Sequence, residues 1–528
     1  MTEDAYNAFM RLSGEFMRDV ITMLQSRGIR VPEYIKGRNG GAGPAEGRAF
    51  LIDGVAVNVP IQAAYTAQSP FSLAAADEEG CYTLLHKGQP VTGICVVPAP
   101  HFYTQFDQTG ISFQKIALLH GKDCLATTVL QTCVNWENHL RCAFCATRVS
   151  LDRGSTIARK SPVQLAQVAR LATDRDAVTH MVLTSGTGDP PGSEIAYLAE
   201  CTRAVKAATE LPVHVQFLPP KDLSLLDTLK SAGVDTVGIH IESFDFQTLQ
   251  RVAPVKARIG LDRYETVWKR AVEIFGANQV SSFLIAGLGE PPESILWGSE
   301  LLADLGVYPF IVPLRPIPGS RLGAHRPPDP ALMARIYTAV ARILRNKGLS
   351  AAKSLAGCVR CGACSALGRY EKPTPDFIYH SARTAGERSE AFALRHRVFV
   401  EEQGLFACSD RDEHDETGIH LVARYKDRMV GTVRLFPDPH HGNGSWIGGR
   451  LAVHPDYRVY RVGACLVKEA MKRAKKKGCT VFTAHVQEKN IRFFQKLGWK
   501  PIGPTETICD HPHQQMQADL SRICDESY

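Results

Sequence analysis

Apolar residues between about positions 125 and 325 fall into short runs that alternate with stretches of helical periodicity. The intervening segments, such as residues 161–172 and 264–276, repeat apolar residues at three- and four-residue spacing, which is typical of helices that cover a sheet. Strands alternating with helices indicate parallel βα units, and six of them predict an α/β fold with a TIM-type (β/α)6 barrel or partial barrel. Functional side chains on such a scaffold collect at the carboxyl ends of the strands. The predicted strands are residues 125–132, 179–186, 212–219, 234–243, 278–287 and 308–316.

The chain on either side of this region follows other patterns. Apolar residues from Phe9 to Leu24 predict an amphipathic helix that ends near Gly28, and short β-like runs follow up to about residue 120. A helix is predicted at 330–349, and the segment GRYEKPTPDF that starts at Gly368 is predicted to be a linker. We therefore expect four regions: residues 1–120 of unknown role, a barrel at 121–328, a helix with a cysteine-rich segment at 329–370, and an α+β domain at 376–528.

Composition narrows the class of protein. The 528 residues suffice for three or four domains at about 150 residues each, and 44% hydrophobic with 22% charged residues indicates a folded chain. The 61 Lys and Arg against 54 Asp and Glu give +7, a weak footprint for nucleic acid. No apolar run reaches the about 18 residues needed to span a bilayer, and the first residues lack the basic start of a signal peptide. We expect a cytoplasmic protein that binds neither membrane nor nucleic acid.

Of the 15 cysteines, six form two groups of three. Clustered cysteines in a large cytosolic chain bind metal or perform chemistry more often than they form disulfides. The other nine are predicted to be small, buried hydrophobic residues. These nine are Cys81, Cys95, Cys124, Cys201, Cys408, Cys465, Cys479, Cys509 and Cys524.

The first cysteine group, Cys133, Cys142 and Cys145, follows the first predicted strand, at the carboxyl end of the barrel. Three thiolates can bind three irons of a cubane cluster and leave the fourth iron open for substrate or cofactor. A closed zinc site needs a fourth ligand, which His139 would supply, so spacing alone leaves both metals open.

Polar residues recur on alternating positions of two further strands. His214 and Gln216 share one face of the third strand, and Gly238, His240 and Glu242 share one face of the fourth. Each side chain on its own could be a satisfied polar residue in the core. Several that converge on one mouth of the barrel favour a binding site.

These features together resemble the radical S-adenosylmethionine (radical SAM) superfamily over residues 125–325. Cys142-x2-Cys145 with Phe144 before the last cysteine is similar to its signature, although eight residues separate Cys133 from Cys142 where the family has three. Thr184, Ser185 and Gly186 occupy the place of its glycine-rich motif after the second strand. FLIAGLGEPPES resembles its adenine-contacting segment, with Ile285, Gly287 and Glu290 in place and Phe283 instead of a glycine, and VPLRPIPGSRL resembles its Pro-Gly-Ser turn.

The resemblance implies a 4Fe-4S cluster that reductively cleaves S-adenosylmethionine to methionine and a 5′-deoxyadenosyl radical, which takes a hydrogen from a small-molecule substrate. It also implies an external one-electron donor such as ferredoxin or flavodoxin. The residues expected to bind S-adenosylmethionine are Thr184, Ser185, Gly186, Gln216, His240, Glu242, Ile285 and Gly287.

The second cysteine group, Cys358, Cys361 and Cys364, has the spacing of the first three ligands in a ferredoxin-type site. The fourth ferredoxin cysteine would stand at position 368, where the chain has Gly368. We favour an auxiliary 4Fe-4S cluster with an open or remotely supplied fourth ligand. Structural zinc and a site without metal remain the alternatives.

A strand, turn and helix meet around Arg458 to Leu466, where Arg458 and Gly463 fit an Arg-x-x-Gly-x-Gly/Ala pattern. With this turn the last 150 residues resemble the GCN5-related N-acetyltransferase (GNAT) fold, which binds acetyl-CoA and whose exposed turn amides bind the pyrophosphate. Arg461 replaces the first glycine of the family's motif, Phe494 stands where many relatives have a general-acid tyrosine, and Gln487 where many have asparagine. The residues expected to bind acetyl-CoA are Val453, Arg458, Arg461, Val462, Gly463 and Ala464.

Other polar residues of this domain have simpler interpretations. The acidic run at 412–416 is more typical of a solvated loop than of an amine-binding site, and the lysines of KRAKKKG at 472–478 are typical of a helix face in water. His420 and His454 are weak candidates for a general base.

The leading hypothesis is a bifunctional enzyme with a radical SAM domain and an acyltransferase domain that acetylates a small amine. The two halves resemble a radical SAM protein and an N-acetyltransferase of nitrilase-containing bacterial gene clusters, which would indicate nitrogen-related small-molecule metabolism. One alternative is tRNA wobble-uridine modification of the elongator type, which shares the domain order. Another is a radical SAM enzyme with a CoA-binding GNAT module that has lost catalysis.

Overall fold

The structure is a computed structural model that describes residues 14–37, 47–76, 80–136, 140–371, 377–425, 427–442, 444–460 and 462–522. Its contacts divide the chain into two units. We call Arg18–Lys372 the barrel unit, and Pro373–Tyr528 with Met1–Met17 the carboxyl-terminal unit. Each is described separately.

The amino-terminal part of the barrel unit is a helix followed by an antiparallel sheet. Helix α1 (Gly14–Arg27) ends as predicted at Gly28, whose positive φ of 67° allows its amide to bond the Leu24 carbonyl at 2.8 Å. Residues 4–13 of the predicted helix lie outside the described residues. The sheet has the order β2-β1-β5-β4-β3. Its strands are β1 (Gly47–Ile52), β2 (Val55–Pro60), β3 (Phe71–Ala76), β4 (Cys81–His86) and β5 (Gln89–Val96).

The central sheet of this unit is a curled half-barrel of seven strands in the order β12-β11-β10-β9-β8-β7-β6. Six strands are parallel, as predicted, and β6 pairs with β7 in an antiparallel hairpin. Because parallel strands are covered on both faces, they read as continuous apolar runs. The strands are β6 (Leu118–His120), β7 (Cys124–Thr128), β8 (His180–Thr184), β9 (Val213–Gln216), β10 (Thr236–Gly238), β11 (Val280–Ala286) and β12 (Val307–Pro313).

Helices connect and cover these strands. In α4 (Pro162–Arg175), Ser161 and Gln164 form a reciprocal capping box, and Leu165, Val168 and Ala172 form part of its buried face. The helices up to β12 are α2 (Phe113–Ile116), α3 (Thr147–Asp152), α4, α5 (Ser193–Ala208), α6 (Ser224–Ser231), α7 (Phe246–Val252), α8 (Pro254–Ile259), α9 (Leu261–Phe275) and α10 (Pro292–Asp304).

Three helices follow the barrel: α11 (Pro330–Asn346), α12 (Gly357–Cys361) and α13 (Leu367–Tyr370). The first confirms the helix predicted at 330–349. The third corrects the predicted linker, since Tyr370 is buried and its hydroxyl lies 3.0 Å from that of Thr22 in α1. Residues 372–376 of that segment lie outside the described residues.

The carboxyl-terminal unit is a mixed seven-stranded sheet with the order β13-β14-β15-β16-β17-β19-β18 and with helices packed on it. Its apolar core includes Val462, Leu466 and Met471 of the longest helix, whose opposite face carries the exposed lysines predicted from the sequence. The strands are β13 (Phe377–Ser381), β14 (Ile419–Tyr425), β15 (Arg428–Pro437), β16 (Ser445–Val453), β17 (Val481–Gln487), β18 (Trp499–Ile508) and β19 (His511–Ala518). The helices are α14 (Ala385–His396), α15 (His414–Thr417), α16 (Val462–Lys476) and α17 (Ile491–Lys496).

The scattered cysteines differ in part from the prediction. Cys81 and Cys95 face each other across β4 and β5 and form a disulfide, so the prediction of two separate hydrophobic side chains was wrong. Cys408 and Cys509 are exposed and Cys465 is partly buried, whereas Cys124, Cys201 and Cys479 are buried as expected. Cys524 lies outside the described residues.

Candidate functional site

A cavity of about 240 Å³ lies inside the half-barrel and is lined by residues of six of its strands and of the loops around them. We call it the barrel cavity. Several residues singled out from the sequence border it: Thr184, Gln216, Glu242, Ile285, Cys358, Cys361 and Cys364, with Phe144 of the first cysteine group's loop.

The first cysteine group lies in the loop between β7 and α3. This loop is fastened to the segment that follows β8, which contains the predicted Thr184–Gly186 motif. The backbone hydrogen bonds are Val129 N to Thr184 O (2.8 Å), Gly186 N to Leu130 O (2.9 Å) and Val134 N to Thr187 O (3.1 Å). The structure therefore brings the cysteine loop and the predicted cofactor segment together.

Gly186 is required at this junction because there is no room for a side chain. A Cβ atom built on Gly186 would lie 1.9 Å from the carbonyl oxygen of Thr132 and 3.1 Å from Cβ of Cys133. Backbone cannot move away as a side chain can, so only glycine lets the two loops approach this closely.

The thiols of Cys142 and Cys145 are protonated in the absence of a cation. Burial raises the pKa of Cys142 to about 12. Burial also raises the pKa of Cys145, although its sulfur lies 3.1 Å from the hydroxyl of Thr147. Thiolates here need a compensating positive charge, which a bound cluster supplies. His139, the fourth ligand of the zinc alternative, lies outside the described residues.

A buried ion pair borders this group. Lys256 of α8 donates from Nζ to Glu242 Oε1 at 2.8 Å and to the carbonyl of His240 at 2.6 Å. Burial opposes the charge of Lys256, but the neighbouring Glu242 carboxylate outweighs it and raises the lysine pKa. Sequence reasoning found Glu242 and missed Lys256, because a lysine in a short basic segment gives no signal of burial.

Glu242 has a strained backbone and an unused oxygen. Its φ is 76°, in the left-handed region that residues other than glycine adopt rarely. Its amide bonds Phe283 O at 3.0 Å and its carbonyl accepts from Ile285 N at 2.9 Å, so β11 fixes this conformation. Among the described residues the buried Oε2 has no hydrogen-bond partner. A strained carboxylate with a free acceptor is typical of a ligand site.

His240 presents a donor beside it. Its Nδ1 accepts a hydrogen bond from Phe283 N at 3.1 Å, so the neutral ring carries its proton on Nε2. Burial lowers the pKa of His240 far below its usual value, and Lys256 lowers it further. The ring stacks on Phe283 at 4.2 Å between centroids, which gives a role to the phenylalanine that replaces the family's glycine. Its Nε2 is buried and without a partner in the described part of the chain.

Ile285 and Gly287 lie at the carboxyl end of β11. Ile285 borders the barrel cavity. Gly287 has φ of 99° and donates from its amide to Glu290 at 2.9 Å, and a Cβ there would lie 3.0 Å from Pro328. The other carboxyl oxygen of Glu290 is buried without a described partner, and burial raises the pKa of this group.

The second cysteine group lies on and after α12, a helix that packs against the barrel strands. A Cβ on Gly357 would meet the His214 ring at 2.6 Å. Gln216 donates to the sulfur of Cys358 at 3.5 Å. His214 and Gln216, which the sequence placed on one face, therefore adjoin the second cysteine group.

A second cavity, of about 380 Å³, opens in the carboxyl-terminal unit between β16 and β17. These parallel strands pair only between Ser445–Ile447 and Val481–Thr483. Beyond that point they separate, and residues 448–451 of one and 484–487 of the other line the opening. We call it the strand-gap cavity. Strands that part in this way expose backbone amides and carbonyls to a ligand.

The residues predicted to bind pyrophosphate lie at the start of α16. Val462 and Ala464 are buried. A Cβ atom built on Gly463 would lie 3.5 Å from the side chain of Val453. Arg461 lies outside the described residues.

Arg458 already has protein partners. Its two terminal nitrogens bind the carboxylate of Glu402 at 2.7 and 2.6 Å, and Nε binds the Val453 carbonyl at 3.0 Å. A guanidinium held by a bidentate carboxylate is oriented by the protein and partly neutralised.

The histidines that line the strand-gap cavity differ from those that the sequence singled out. Phe494 borders the cavity and packs on Trp499, and Gln487 donates to Gln403 at 3.1 Å. His420 and His454 do not belong to the described lining of this cavity. The histidines that do are His414, His485 and His513, and no motif marked them in the sequence.

Asp412 and Asp415 of the acidic run at 412–416 belong to a largely buried ion network, which the prediction of a solvated loop did not include, whereas Glu413 and Glu416 are exposed as predicted. Asp415 is 3% exposed and binds Arg395 at 2.6 Å and Arg434 at 2.7 Å. Arg434 also binds Asp412, which Arg450 binds at 3.1 Å. The partners lie on α14, β15 and β16, beyond the reach of any local pattern.

Comparison with known proteins agrees with both halves of this description. The Radical SAM superfamily profile matches residues 139–297, and the Acetyltransferase (GNAT) family profile matches residues 385–499. The chain is an enzyme with a radical SAM domain and a GNAT acetyltransferase domain.

Three relatives illustrate the match. The uncharacterized protein YyaT of Bacillus subtilis is 31% identical over 26% of this chain and 93% of its own. The bacteriochlorophyllide c C-7(1)-hydroxylase of Chlorobaculum limnaeum is 26% identical over 31% of this chain and 43% of its own length. The crystal structure of Escherichia coli ElaA is 20% identical, covers 27% of this chain and 99% of ElaA, and has a TM-score of 0.25.

The families set the general requirements of the chain. Radical SAM membership implies a 4Fe-4S cluster, S-adenosylmethionine, a small-molecule substrate and an external electron donor, and GNAT membership implies acetyl-CoA. Within the described ranges, every helix is too short or too polar to span a membrane.

Proposed function

We propose that this chain cleaves S-adenosylmethionine reductively in its barrel and transfers an acyl group from CoA to a small amine in its carboxyl-terminal unit. The observation that carries the first part is the junction at Gly186, where the loop of Cys133, Cys142 and Cys145 meets the Thr184–Gly186 segment. The neighbouring Glu242 and His240 each hold an unused buried polar atom.

The residues present fit a 4Fe-4S cluster with S-adenosylmethionine. Cys133, Cys142 and Cys145 would bind the cluster, which with the bound cofactor supplies a 5′-deoxyadenosyl radical. Three thiolates can bind three irons of a cubane and leave the fourth iron open for the cofactor, and a bound cluster compensates the charge of the buried Cys142 and Cys145 thiolates.

The chain's own polar groups would orient the cofactor. Glu242 Oε2 is a free acceptor for an amino group or hydroxyl, and His240 Nε2 is a free donor. Lys256 holds the Glu242 carboxyl group in place through its hydrogen bond to Oε1. We propose that Thr184, Ser185 and Gly186 bind the methionine part of the cofactor through backbone groups. We also propose that Ile285 and Gly287 lie against its adenine.

Anaerobic reconstitution with iron and sulfide, followed by assay of 5′-deoxyadenosine with dithionite as reductant, tests this part. Cys133→Ala, Cys142→Ala and Cys145→Ala should each abolish product formation. Cys201→Ala, a buried cysteine of α5, is the matched control and should leave it unchanged. Product formation by any of the first three variants at the control's rate would refute the cofactor site.

For the second part, we propose that acyl-CoA lies in the strand-gap cavity with its pyrophosphate at the start of α16. The parted strands offer backbone groups to the pantetheine amides, and the free amides at a helix start favour phosphate. Phe494 cannot return a proton to the CoA thiolate. A histidine of the cavity, His414, His485 or His513, would do so.

Two observations favour a CoA-binding module without catalysis as the second candidate: Phe494 has no hydroxyl, and Glu402 neutralises Arg458. Release of CoA from acetyl-CoA in the presence of a panel of small amines, followed with a thiol reagent, separates the two. CoA binding without release for every amine would support the module, whereas release that Gly449→Trp abolishes supports the acyltransferase.

The remaining elements of the proposal concern context. We propose that Cys358, Cys361 and Cys364 bind an auxiliary 4Fe-4S cluster, that a ferredoxin or flavodoxin is the electron donor, and that the chain acts in nitrogen-related small-molecule metabolism. The likeness to proteins of nitrilase-containing gene clusters supports the last point by analogy alone.

A further inference from the structure

The second cysteine group has a fourth thiol beside it. Cys124 is the first residue of β7, is 1% exposed and lies close to Cys361. It belongs with Ala126 and Val182 to a small buried cluster against which Cys361 packs. Cys124 also borders the barrel cavity together with Cys358, Cys361 and Cys364.

The hairpin between β6 and β7 brings a histidine to the same place. Nδ1 of His120 lies 3.4 Å from the sulfur of Cys361, and Nε2 lies 3.4 Å from that of Cys364. The turn between them is pressed against the site, since a Cβ on Gly121 would lie 2.8 Å from the Cys361 sulfur. The hairpin is therefore part of the wall of this site.

Each cysteine of the group faces a nitrogen group from outside it. Gln216 donates to Cys358 at 3.5 Å, His120 contacts Cys361 and Cys364, and Asn58 donates to Cys364 at 3.6 Å. A protonated thiol is a weak acceptor, whereas N–H groups directed at sulfur are typical of thiolates that bind iron. The donor set matches a cluster better than three free thiols.

The local sequence cannot complete the ligand set. Gly368, at the position of the fourth ferredoxin cysteine, stands on α13, and a Cβ built on it would have Ala351 as its nearest neighbour, at 3.5 Å. A 4Fe-4S cluster held wholly by protein has four cysteine ligands. Cys124 is a described thiol that lies beside the three cysteines of this group.

We propose that Cys124 is the fourth ligand of the auxiliary cluster, together with Cys358, Cys361 and Cys364, and that His120 is a positioning residue that bonds the ligand sulfurs. The inference rests on the proposed function, in which this group binds a 4Fe-4S cluster. Four protein ligands leave no iron open, so this cluster exchanges electrons and does not bind substrate.

The test begins with a full-length parent variant that lacks the first site, Cys133→Ala with Cys142→Ala and Cys145→Ala. After anaerobic reconstitution it should hold about four irons and four sulfides per chain. Cys124→Ala and the nearly isosteric Cys124→Ser are then added separately. Without its ligand one iron becomes labile, so mild oxidation with ferricyanide should release about one iron and give the electron paramagnetic resonance signal of a three-iron cluster.

Two controls sharpen the result. Cys201→Ala in the same background should keep the parent's iron content and spectrum. His120→Asn should keep four irons after oxidation and shift the reduction potential of the cluster, which a purely structural role would leave in place. Thermal unfolding of the apo variants checks that Cys124→Ser folds like Cys201→Ala.

The outcomes are distinct. A parent without iron would refute the auxiliary cluster of the proposed function. A parent with four irons whose Cys124→Ser form resists oxidation as the parent does would refute Cys124 as ligand while the cluster stands. Labile iron in His120→Asn but not in Cys124→Ser would assign the fourth position to the histidine and overturn the inference.

Discussion

At the residue scale, the buried ion pair of Lys256 and Glu242 affects both the stability of the fold and the position of a side chain in the candidate site. Both side chains are 8% exposed and 2.8 Å apart. A buried pair returns little net stability, but loss of one partner leaves the other charge without compensation. The pair therefore fixes the position of the Glu242 carboxyl group near Cys142, and this position depends on one lysine.

Replacement of that lysine should be costly. We expect Lys256→Met to lower the free energy of unfolding of the apo barrel unit by about 3 to 5 kcal/mol, because the Glu242 charge stays buried alone. Urea denaturation of the full chain, followed by tryptophan fluorescence, measures it. Lys269→Met is the matched control: its ammonium is 57% exposed and pairs with Glu265 at 3.5 Å, so a change within about 0.5 kcal/mol is expected. Equal effects of the two would contradict the argument.

A second prediction at the level of single residues concerns Gly186. Gly186→Ala places a methyl group against the Thr132 carbonyl and should separate the cysteine loop from the segment after β8. We expect 5′-deoxyadenosine formation to fall at least about tenfold, since a displacement of this size at a reacting centre has such effects. Gly368→Ala, where a Cβ meets only ordinary contact, should retain the parent rate. A Gly186→Ala enzyme at full rate would show that the junction is not needed.

At the scale of elements, the buried network of Arg395, Asp415, Arg434 and Asp412 fastens α14 and α15 to β15. Burial alone would raise the pKa of Asp415, but hydrogen bonds and charge from Arg395, aided by Arg434, lower it well below its usual value. At Asp412, the hydrogen bond and charge of Arg434 likewise outweigh the effect of burial and lower the pKa of the carboxyl group. The two carboxylates thus remain charged in the fold to lower pH than in the unfolded chain.

Acid should weaken this unit in a defined window. A folded carboxyl pKa below the unfolded value of about 3.9 contributes stability that is complete above that pH and is lost as pH falls from there through the folded pKa. We therefore expect this network to make the carboxyl-terminal unit less stable as the pH falls below about 4.

Urea midpoints measured at each pH test this expectation. Glu413→Gln, which removes an 84% exposed carboxylate of the same run, should leave the profile unchanged. A decline that starts above pH 5 in the parent would point to groups other than this network.

The elements show where sequence patterns suffice and where they fail. The six barrel strands were predicted because strands buried on both faces form continuous apolar runs, and the cysteine triplets because metal ligands recur at short spacing. The approach of His120 to Cys361 joins residues 241 positions apart, and no local pattern contains it. Cys81 and Cys95 depend on the register of β4 and β5, which includes an irregularity at Leu84 and Leu85 that the sequence does not mark.

At the scale of the whole molecule, each cavity is lined by residues of one unit. The two chemistries should therefore be separable by substitution. We expect the Cys133→Ala, Cys142→Ala, Cys145→Ala variant to lose 5′-deoxyadenosine formation and to bind CoA as the parent does in calorimetry.

The converse variant completes the prediction. Gly449→Trp should fill the strand-gap cavity and weaken CoA binding at least about tenfold while 5′-deoxyadenosine formation persists, since Gly449 borders the cavity with open space where a side chain would start. Gly442→Trp, also in open space but outside the described lining of the cavity, is its control. If the triple cysteine variant or Gly449→Trp lost both 5′-deoxyadenosine formation and CoA binding, the two chemistries would not be separable.

The segment from α12 to α13 has a consequence for how the chain is made. Ala363 accepts from Gln25 at 3.0 Å and from the amide of Asn58 at 2.8 Å, and the bond from Thr22 to Tyr370 spans 348 positions. During translation, the residues of the first helix and sheet are synthesised long before residues 363 and 370, with which they form these hydrogen bonds. Contacts of such sequence separation slow folding and leave the early elements exposed to wrong partners. The barrel unit can therefore complete its fold only after residue 370 has been synthesised. Before that point, the proposed site of the second cysteine group is incomplete.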